Sequence, residues 1–185
     1  MKFTTDIIVN RFNSGEPVEF IFFWGHSAPA GVIKKSCFSQ WYPCEFTLDG
    51  VRYHTTEQYM MAQKALLFRD EEVYAQIMAA DNPKTYKALG RKIRNFDQKV
   101  WDAHKFDIVV RGNIGKFSQN PGLKEFLLST GEKVLVEASP YDGIWGVKLG
   151  LNDPLIQNPN NWQGENLLGF ALMEVRDILR EGQPG

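Results

Sequence analysis

The segment Thr55-Thr56-Glu57-Gln58-Tyr59-Met60-Met61-Ala62-Gln63-Lys64 sets a carboxylate and an amine seven positions apart. On an α-helix that spacing is nearly two turns, so Glu57, Met60, Met61 and Lys64 share a face. Their backbones lie about 10 Å apart along the axis, which strains a direct ion pair but lets both heads converge on something lying across the helix. Glu57 falls in the first turn, where the helix dipole favours the ionised carboxylate. By spacing alone, an ordinary surface Glu and surface Lys are the plainer reading. The neighbours weaken it: Tyr59, Met60, Met61, Ala62, Ala65, Leu66, Leu67 and Phe68 make the helix apolar almost all round. A Glu or Lys buried in such a helix needs a partner or a purpose.

A second cluster is Glu137-Ala-Ser-Pro-Tyr-Asp142-Gly-Ile-Trp145-Gly146, a strand running into a Pro/Gly loop. Asp142 could reach a ligand hydroxyl or a reacting centre with Trp145 as a wall. Equally, Asp142-Gly143 could be turn residues and Trp145 a core anchor. A third is Phe22-Phe23-Trp24-Gly25-His26 with Phe38-Ser39-Gln40-Trp41-Tyr42. Trp24 and Trp41 could sandwich a planar base whose edge Ser39 and Gln40 would hydrogen-bond; core packing and a capped loop is the alternative. In Gly112-Asn-Ile-Gly-Lys116-Phe117 the phosphate-loop spacing is absent and no strand precedes it. Lys116 could hold a phosphate or be solvated. Arg91, Lys92 and Arg94 make either a solvated turn or an anion patch.

Composition narrows the classes. The chain has 185 residues, 21 Lys+Arg against 22 Asp+Glu, a net charge of -1, 43% hydrophobic and 13% aromatic residues. Such a chain fills a core and is not a disordered tail. The charge balance argues against bulk electrostatic binding to nucleic acid or anionic membrane. No apolar run approaches the roughly 20 residues that span a bilayer, and the opening Met-Lys-Phe-Thr-Thr-Asp lacks the apolar core of a signal peptide, so a cytoplasmic protein without membrane partners is expected. Cys37 and Cys44 make no disulfide framework, and His26, His54 and His104 are scattered. No metal site and no cofactor are expected.

The elements that must position these groups read as follows. Strands are expected at Glu19–Trp24 and Lys133–Glu137, and a hairpin at Glu45–Tyr53 around Asp49-Gly50. Thr55 with Gln58 is a capping box for a helix to about Phe68. Helices follow at Glu71–Ala80, after Asn82-Pro83 to Gly90, after Asp97 with an interruption at Gly112, after Asn120-Pro121 to Gly131, and from about Asn166. Two long irregular segments, 25–42 and 139–162, are the expected loops of a site. The result is one domain over 1–185, α+β, predominantly helical with a small β-sheet; a doubly wound sheet is excluded because strands and helices do not alternate.

These strings, in this order, together with Leu135-Val-Glu-Ala-Ser-Pro140 and Asn166-Leu-Leu-Gly-Phe-Ala-Leu-Met-Glu-Val-Arg176, resemble the YbiA-like family, also called NADAR, over nearly the whole chain. The resemblance implies a mostly helical domain that cleaves N-glycosidic bonds. One branch is associated with phosphorylated ribosylamino-pyrimidines, the first intermediates of riboflavin biosynthesis; other members act on ADP-ribose conjugates, including ADP-ribosylated guanine in nucleic acid. Carried over by motif, Glu57, Lys64 and Asp142 are the expected catalytic residues. Trp24, Gly25, Ser39, Gln40, Trp41, Trp145 and Lys116 are the expected substrate contacts.

N-glycoside cleavage passes through a cation-like ribose, so it needs negative charge near the anomeric carbon and help for the departing base. Glu57 or Asp142 could supply the charge and activate water. A desolvated Lys64 could protonate the leaving group or attack an opened ribose as an amine. Three readings compete: a glycosidase of phosphorylated pyrimidine ribosides releasing ribose 5-phosphate, a hydrolase of ADP-ribose conjugates, and a nucleotide-binding module without catalysis. The expected partner is a small phosphorylated riboside, with ADP-ribosylated nucleic acid as the alternative.

Overall fold

The computed structural model describes residues 1–182. In chain order they form α1 (Thr5–Asn13), β1 (Phe20–Phe23), β2 (Phe46–Leu48), β3 (Val51–Tyr53) and α2 (Thr56–Leu67). There follow α3 (Glu71–Ala79), α4 (Pro83–Gly90), α5 (Gln98–Gln119), α6 (Pro121–Ser129), β4 (Val134–Glu137) and α7 (Leu167–Glu181). The fold is α+β and predominantly helical, as expected, and its small sheet is two separate two-stranded pairs. The described residues divide into two compact units: 1–39 with 121–182, and 40–120.

The first unit is organised by a parallel pair. β1 lies beside β4 with Phe20 opposite Val134 and Phe23 opposite Glu137. Helix α7 covers β4, burying Leu167, Leu168, Phe170, Ala171, Leu172 and Val175. Gly169 allows this approach: a Cβ there would lie 2.0 Å from the Leu135 carbonyl oxygen. Asn166 does not cap α7 with its side chain. It sits at φ +55° and turns its carboxamide onto β4, donating from Nδ2 to Leu135 O at 2.9 Å and accepting from Glu137 N–H at 3.0 Å. A side chain thus stands where a third strand would pair. The segments expected to be irregular hold only short 3₁₀ turns, at Lys35–Phe38, Pro154–Gln157 and Pro159–Asn161.

In the second unit the hairpin turns at Asp49 (φ +51°) and Gly50 (φ +76°), the left-handed pair that an Asp-Gly turn supplies. Thr55 accepts from Gln58 N–H at 3.0 Å, while Gln58 Oε1 accepts from His54 N–H at 2.8 Å, one residue earlier than a standard capping box. The expected interruption of α5 at Gly112 does not occur. The helix runs through Gly112 and Gly115 because these positions face packed neighbours: a Cβ would lie 2.6 Å from Tyr59 Cδ1 at Gly112 and 2.9 Å from Phe46 Cδ2 at Gly115. The glycines set packing distance and do not end the helix.

Candidate active site

In the second unit, α2 carries Glu57 and Lys64, and the surface reading of Glu57 fails: it is 4% exposed. Its main-chain N–H donates to the Gln40 carbonyl at 2.9 Å, and Thr56 Oγ1 donates to the same oxygen at 3.2 Å, so the first turn of α2 is docked on Gln40. Lys64 is half-buried. Its Nζ donates to Gly90 O at 3.0 Å and lies 4.4 Å from the Phe96 ring centre and 5.3 Å from that of Trp101. Burial pushes the Lys64 amine below the ordinary lysine range, and the charge of Glu57 pulls it partly back. The two groups therefore sense each other electrostatically, as the shared helix face predicts.

Lys116 is not solvated. It is fully buried on α5, with Nζ 5.4 Å from the Tyr42 ring centre and 5.2 Å from that of Phe117. One turn earlier, Asn113 is also fully buried and donates from Nδ2 to Gln40 Oε1 and to Val109 O, both at 2.9 Å. Gln40 is 7% exposed, and Trp41 beside it is half-buried. Nothing in the sequence pattern singles out Asn113: a buried amide has no periodicity of its own, and its place one turn before a lysine in a helix was the only available signal.

In the first unit, the carboxyl ends of the parallel pair carry the other candidates. Trp24 follows Phe23 at the end of β1, and Gly25 turns the chain at φ +83°. The Trp24 and Tyr141 rings lie 6.4 Å apart and tilted. Ser39 ends the 3₁₀ turn that begins at Lys35. Beyond β4, Ser139 Oγ accepts from Asp142 N–H at 3.1 Å, and Asp142 Oδ1 accepts from Ile144 N–H and Trp145 N–H, both at 2.8 Å. The turn role of Asp142 is therefore real, and one carboxylate oxygen is committed to it. Gly146 fits closely inside this loop, where a Cβ would stand 2.9 Å from Glu137 O.

The tryptophans differ in exposure. Trp101 and Trp162 are each 8% exposed, whereas Trp24 is 49% exposed and Trp41 and Trp145 are half-buried. Of the basic cluster, Arg94 is a structural partner: it donates to buried Asp70 from Nη2 at 2.8 Å, from Nε at 3.1 Å and from the main chain at 2.9 Å. Among the described residues, no group of three or more His, Cys, Asp or Glu is arranged to hold a metal ion, and no helix is long and apolar enough to cross a membrane.

The fold and this constellation define a predominantly helical α+β protein with a buried carboxylate and a desolvated amine on one helix. The chain belongs to the NADAR family, whose domain matches residues 22–180. It is similar to an N-glycosidase of Acanthamoeba polyphaga mimivirus, 47% identical over 168 residues that cover 88% of this chain and 97% of the relative. It is also similar to N-glycosidase YbiA of Escherichia coli, 30% identical over 142 residues covering 77% and 80% of the two chains. Among solved structures, the NMR structure of the E. coli protein YbiA superposes with a TM-score of 0.71 at 27% identity, covering 90% of each chain.

Proposed function

We propose that this chain, an N-glycosyl hydrolase by family, acts as one catalytic domain on phosphorylated ribosylamino-pyrimidines of the kind formed early in riboflavin biosynthesis. The bond between ribose C1′ and the amine nitrogen breaks, and its electron pair leaves with nitrogen, which takes up a proton. Water adds to C1′ through oxygen and gives up a proton, releasing ribose 5-phosphate and the free aminopyrimidine.

The observation that carries the reading is the pair on α2: a carboxylate 4% exposed and, on the same face, a lysine whose amine is desolvated. Glu57 stabilises the cation-like ribose and takes the proton from water. Lys64, whose amine burial shifts below the ordinary lysine range, protonates the leaving nitrogen or forms a Schiff base with the opened sugar. Asp142 holds the ribose hydroxyls with Oδ2 while Oδ1 shapes its loop. Trp24, Trp41 and Trp145 are apolar walls for the base, Ser39 and Gln40 meet its edge, Gly25 lets the chain turn there, and Lys116 offers its charge to the phosphate. No metal or redox cofactor is part of the proposal. A cytoplasmic setting belongs to it, supported by a chain with only two cysteines.

The test is direct. The chain is incubated with the pyrimidine ribotide and, in parallel, with ADP-ribosylated guanosine, and products are followed by mass spectrometry. Release of ribose 5-phosphate from the first supports the proposal. Turnover of the second alone would make the chain an ADP-ribose-conjugate hydrolase, for which nucleic acid becomes the partner. The net charge of -1 favours the small substrate. Tight binding without product from either would leave a nucleotide-binding module.

A further inference from the structure

The Lys64 side chain ends among three groups that each favour a positive charge. Its Nζ donates to Gly90 O at 3.0 Å and lies 4.4 Å from the Phe96 ring centre and 5.3 Å from that of Trp101. Gly90 is the last residue of α4, so its carbonyl belongs to the negative end of a helix dipole. The missing Cβ permits the close fit of α4 on α2, because a Cβ at Gly90 would lie 2.0 Å from Met61 Sδ. Aromatic faces carry the negative side of a quadrupole and attract an ammonium group. A neutral amine can still donate to Gly90 O, but it gains little from the dipole or the rings. The walls are themselves held. Phe96 lies in the segment joining α4 to α5. Before it, Arg94 is tied to buried Asp70 through its main chain, Nε and Nη2, and Asn95 turns the chain at φ +56°. After it, Asp97 caps α5 by accepting from Val100 N–H at 3.0 Å, and the first turn of α5 brings in Trp101. The Phe96 ring also packs on Phe68, one turn beyond Lys64, with centres 5.2 Å apart. Phe96 is 42% exposed and Trp101 8%, so Phe96 is the outer wall.

We propose that this half-cage holds Lys64 as its ammonium, and that Phe96 is the positioning residue that sets how far up the pH scale the charge persists. Burial acts in the opposite sense and favours the neutral amine. An aromatic wall serves both ends: it excludes water as an aliphatic wall would, and its face returns part of the lost solvation. Of the charged groups, Glu57 on the same helix is the one whose field reaches the amine. From the neighbouring elements, Arg94 is turned onto Asp70 and Glu72, Lys105 is paired with Asp102, and His104 Nδ1 lies against Val100 O. Lys84, Lys87, Arg91, Lys92, Arg69 and Glu71 are exposed, where water and salt screen them. The inference deepens the proposed function. An amine kept charged can give its proton to a leaving nitrogen, whereas attack on an opened sugar needs it neutral. That use in catalysis rests on the glycosidase reading; the charge state of Lys64 does not.

The experiment therefore reads the amine first and turnover second. The pH midpoint of Lys64 acylation is measured by peptide mass mapping in the full chain and in three replacements at position 96, each checked for folding by thermal melting. Phe96→Tyr keeps the ring face and is expected to keep the wild-type midpoint. Phe96→Leu keeps an apolar wall without a quadrupole, and a trifluorinated phenylalanine keeps the ring's shape while draining its face of negative charge. Both are expected to lower the midpoint by about 0.5 pH unit, the scale of one partly exposed cation–π contact. The fluorinated chain decides the case: a midpoint at or above the wild-type value there would overturn the proposal, whatever Phe96→Leu does. Where the chain turns over the ribotide, the alkaline fall in its rate is expected to move down with the midpoint. A fall that stays in place in the fluorinated chain would end the positioning role. A lowered midpoint in a chain that releases no ribose 5-phosphate would refute the glycosidase reading and leave the half-cage standing.

Discussion

The main-chain N–H of Glu57 donates to the carbonyl of Gln40 at 2.9 Å, so the residue assigned to the reacting carbon and a residue assigned to the base share a backbone hydrogen bond. The main chain at Glu57 is thus held by a hydrogen bond that does not involve its carboxylate. Glu57→Gln is expected to melt close to the wild-type temperature while turnover of the ribotide falls by roughly 100-fold or more, the scale of losing an acid–base or charge-stabilising group. Near-normal turnover in that folded variant would remove Glu57 from the mechanism.

Lys64 makes a prediction with a sign. Its amine is shifted down by burial, so its neutral fraction at a given pH exceeds that of a solvent lysine. Acylation of Lys64, followed by peptide mass mapping, is expected to titrate with a midpoint below 10.5. For folding, the unfolded state binds the proton more tightly, so this group costs stability below its folded pKa, and that cost disappears as pH rises toward the unfolded value. Borohydride added during turnover is expected to leave a sugar-derived mass on Lys64 if it forms a Schiff base. A general acid would leave none, and its rate would fall as pH rises through the shifted pKa.

Asp142 can be divided into its two roles. Asp142→Asn keeps an oxygen for the N–H groups of Ile144 and Trp145, whereas Asp142→Ala removes it. The alanine variant is expected to lose about 1 kcal/mol, the scale of a lost side-chain cap, read as a lowered denaturation midpoint. The asparagine variant is expected to keep its stability and still lose turnover. If both variants turn over normally, Asp142 serves the loop alone.

Asp70 makes a pH-dependent contribution to the stability of the fold. Its carboxylate is buried and receives hydrogen bonds from Arg94 and from Val73 N–H, which hold its pKa well below the usual carboxylate range. Its folded pKa is depressed, so its stabilisation is fully present above the unfolded value near 3.9 and is lost as pH falls through the folded one. Asp70→Asn is expected to lower the urea midpoint at neutral pH and to flatten its dependence on pH in the acid range.

Gly112 offers a purely steric test. Gly112→Ala raises helix propensity but sets a Cβ 2.6 Å from Tyr59 Cδ1. Overpacking should win, with a loss of about 1–3 kcal/mol in chemical denaturation.

What could be read in advance was local chemistry. The Asp49-Gly50 turn, the Thr55 and Asn82 caps and the helix carrying Glu57 and Lys64 all appear close to their expected bounds because adjacent residues dictate them. The parallel pairing of Phe20–Phe23 with Val134–Glu137 depends on segments far apart in sequence, and no local signal encodes it. Helix α1, capped by Thr4, carries Ile7, Ile8, Val9 and Phe12 but fully buries only Ile8, so its short apolar cluster marks no clear helical stripe. Gly112 and Gly115 look like breaks in sequence because only the structure supplies Tyr59 and Phe46 as the surfaces that need them. For the candidate site, residue types pointed to Glu57, Lys64 and the less buried tryptophans. The Gln40–Asn113 contact stayed hidden because it joins two amides 73 positions apart.

The loop at 143–146 also has a consequence for anion recognition. The start of α7 spends the N–H groups of Asn166, Leu167 and Leu168 on the carbonyls of Gly146, Ile144 and Trp145. A helix beginning is ordinarily a ready seat for a phosphoryl group, because its leading amides point outward unpaired and its dipole is positive there. In this protein those three amides are already occupied by the chain itself. The start of α7 therefore offers none of these three amides to an anion.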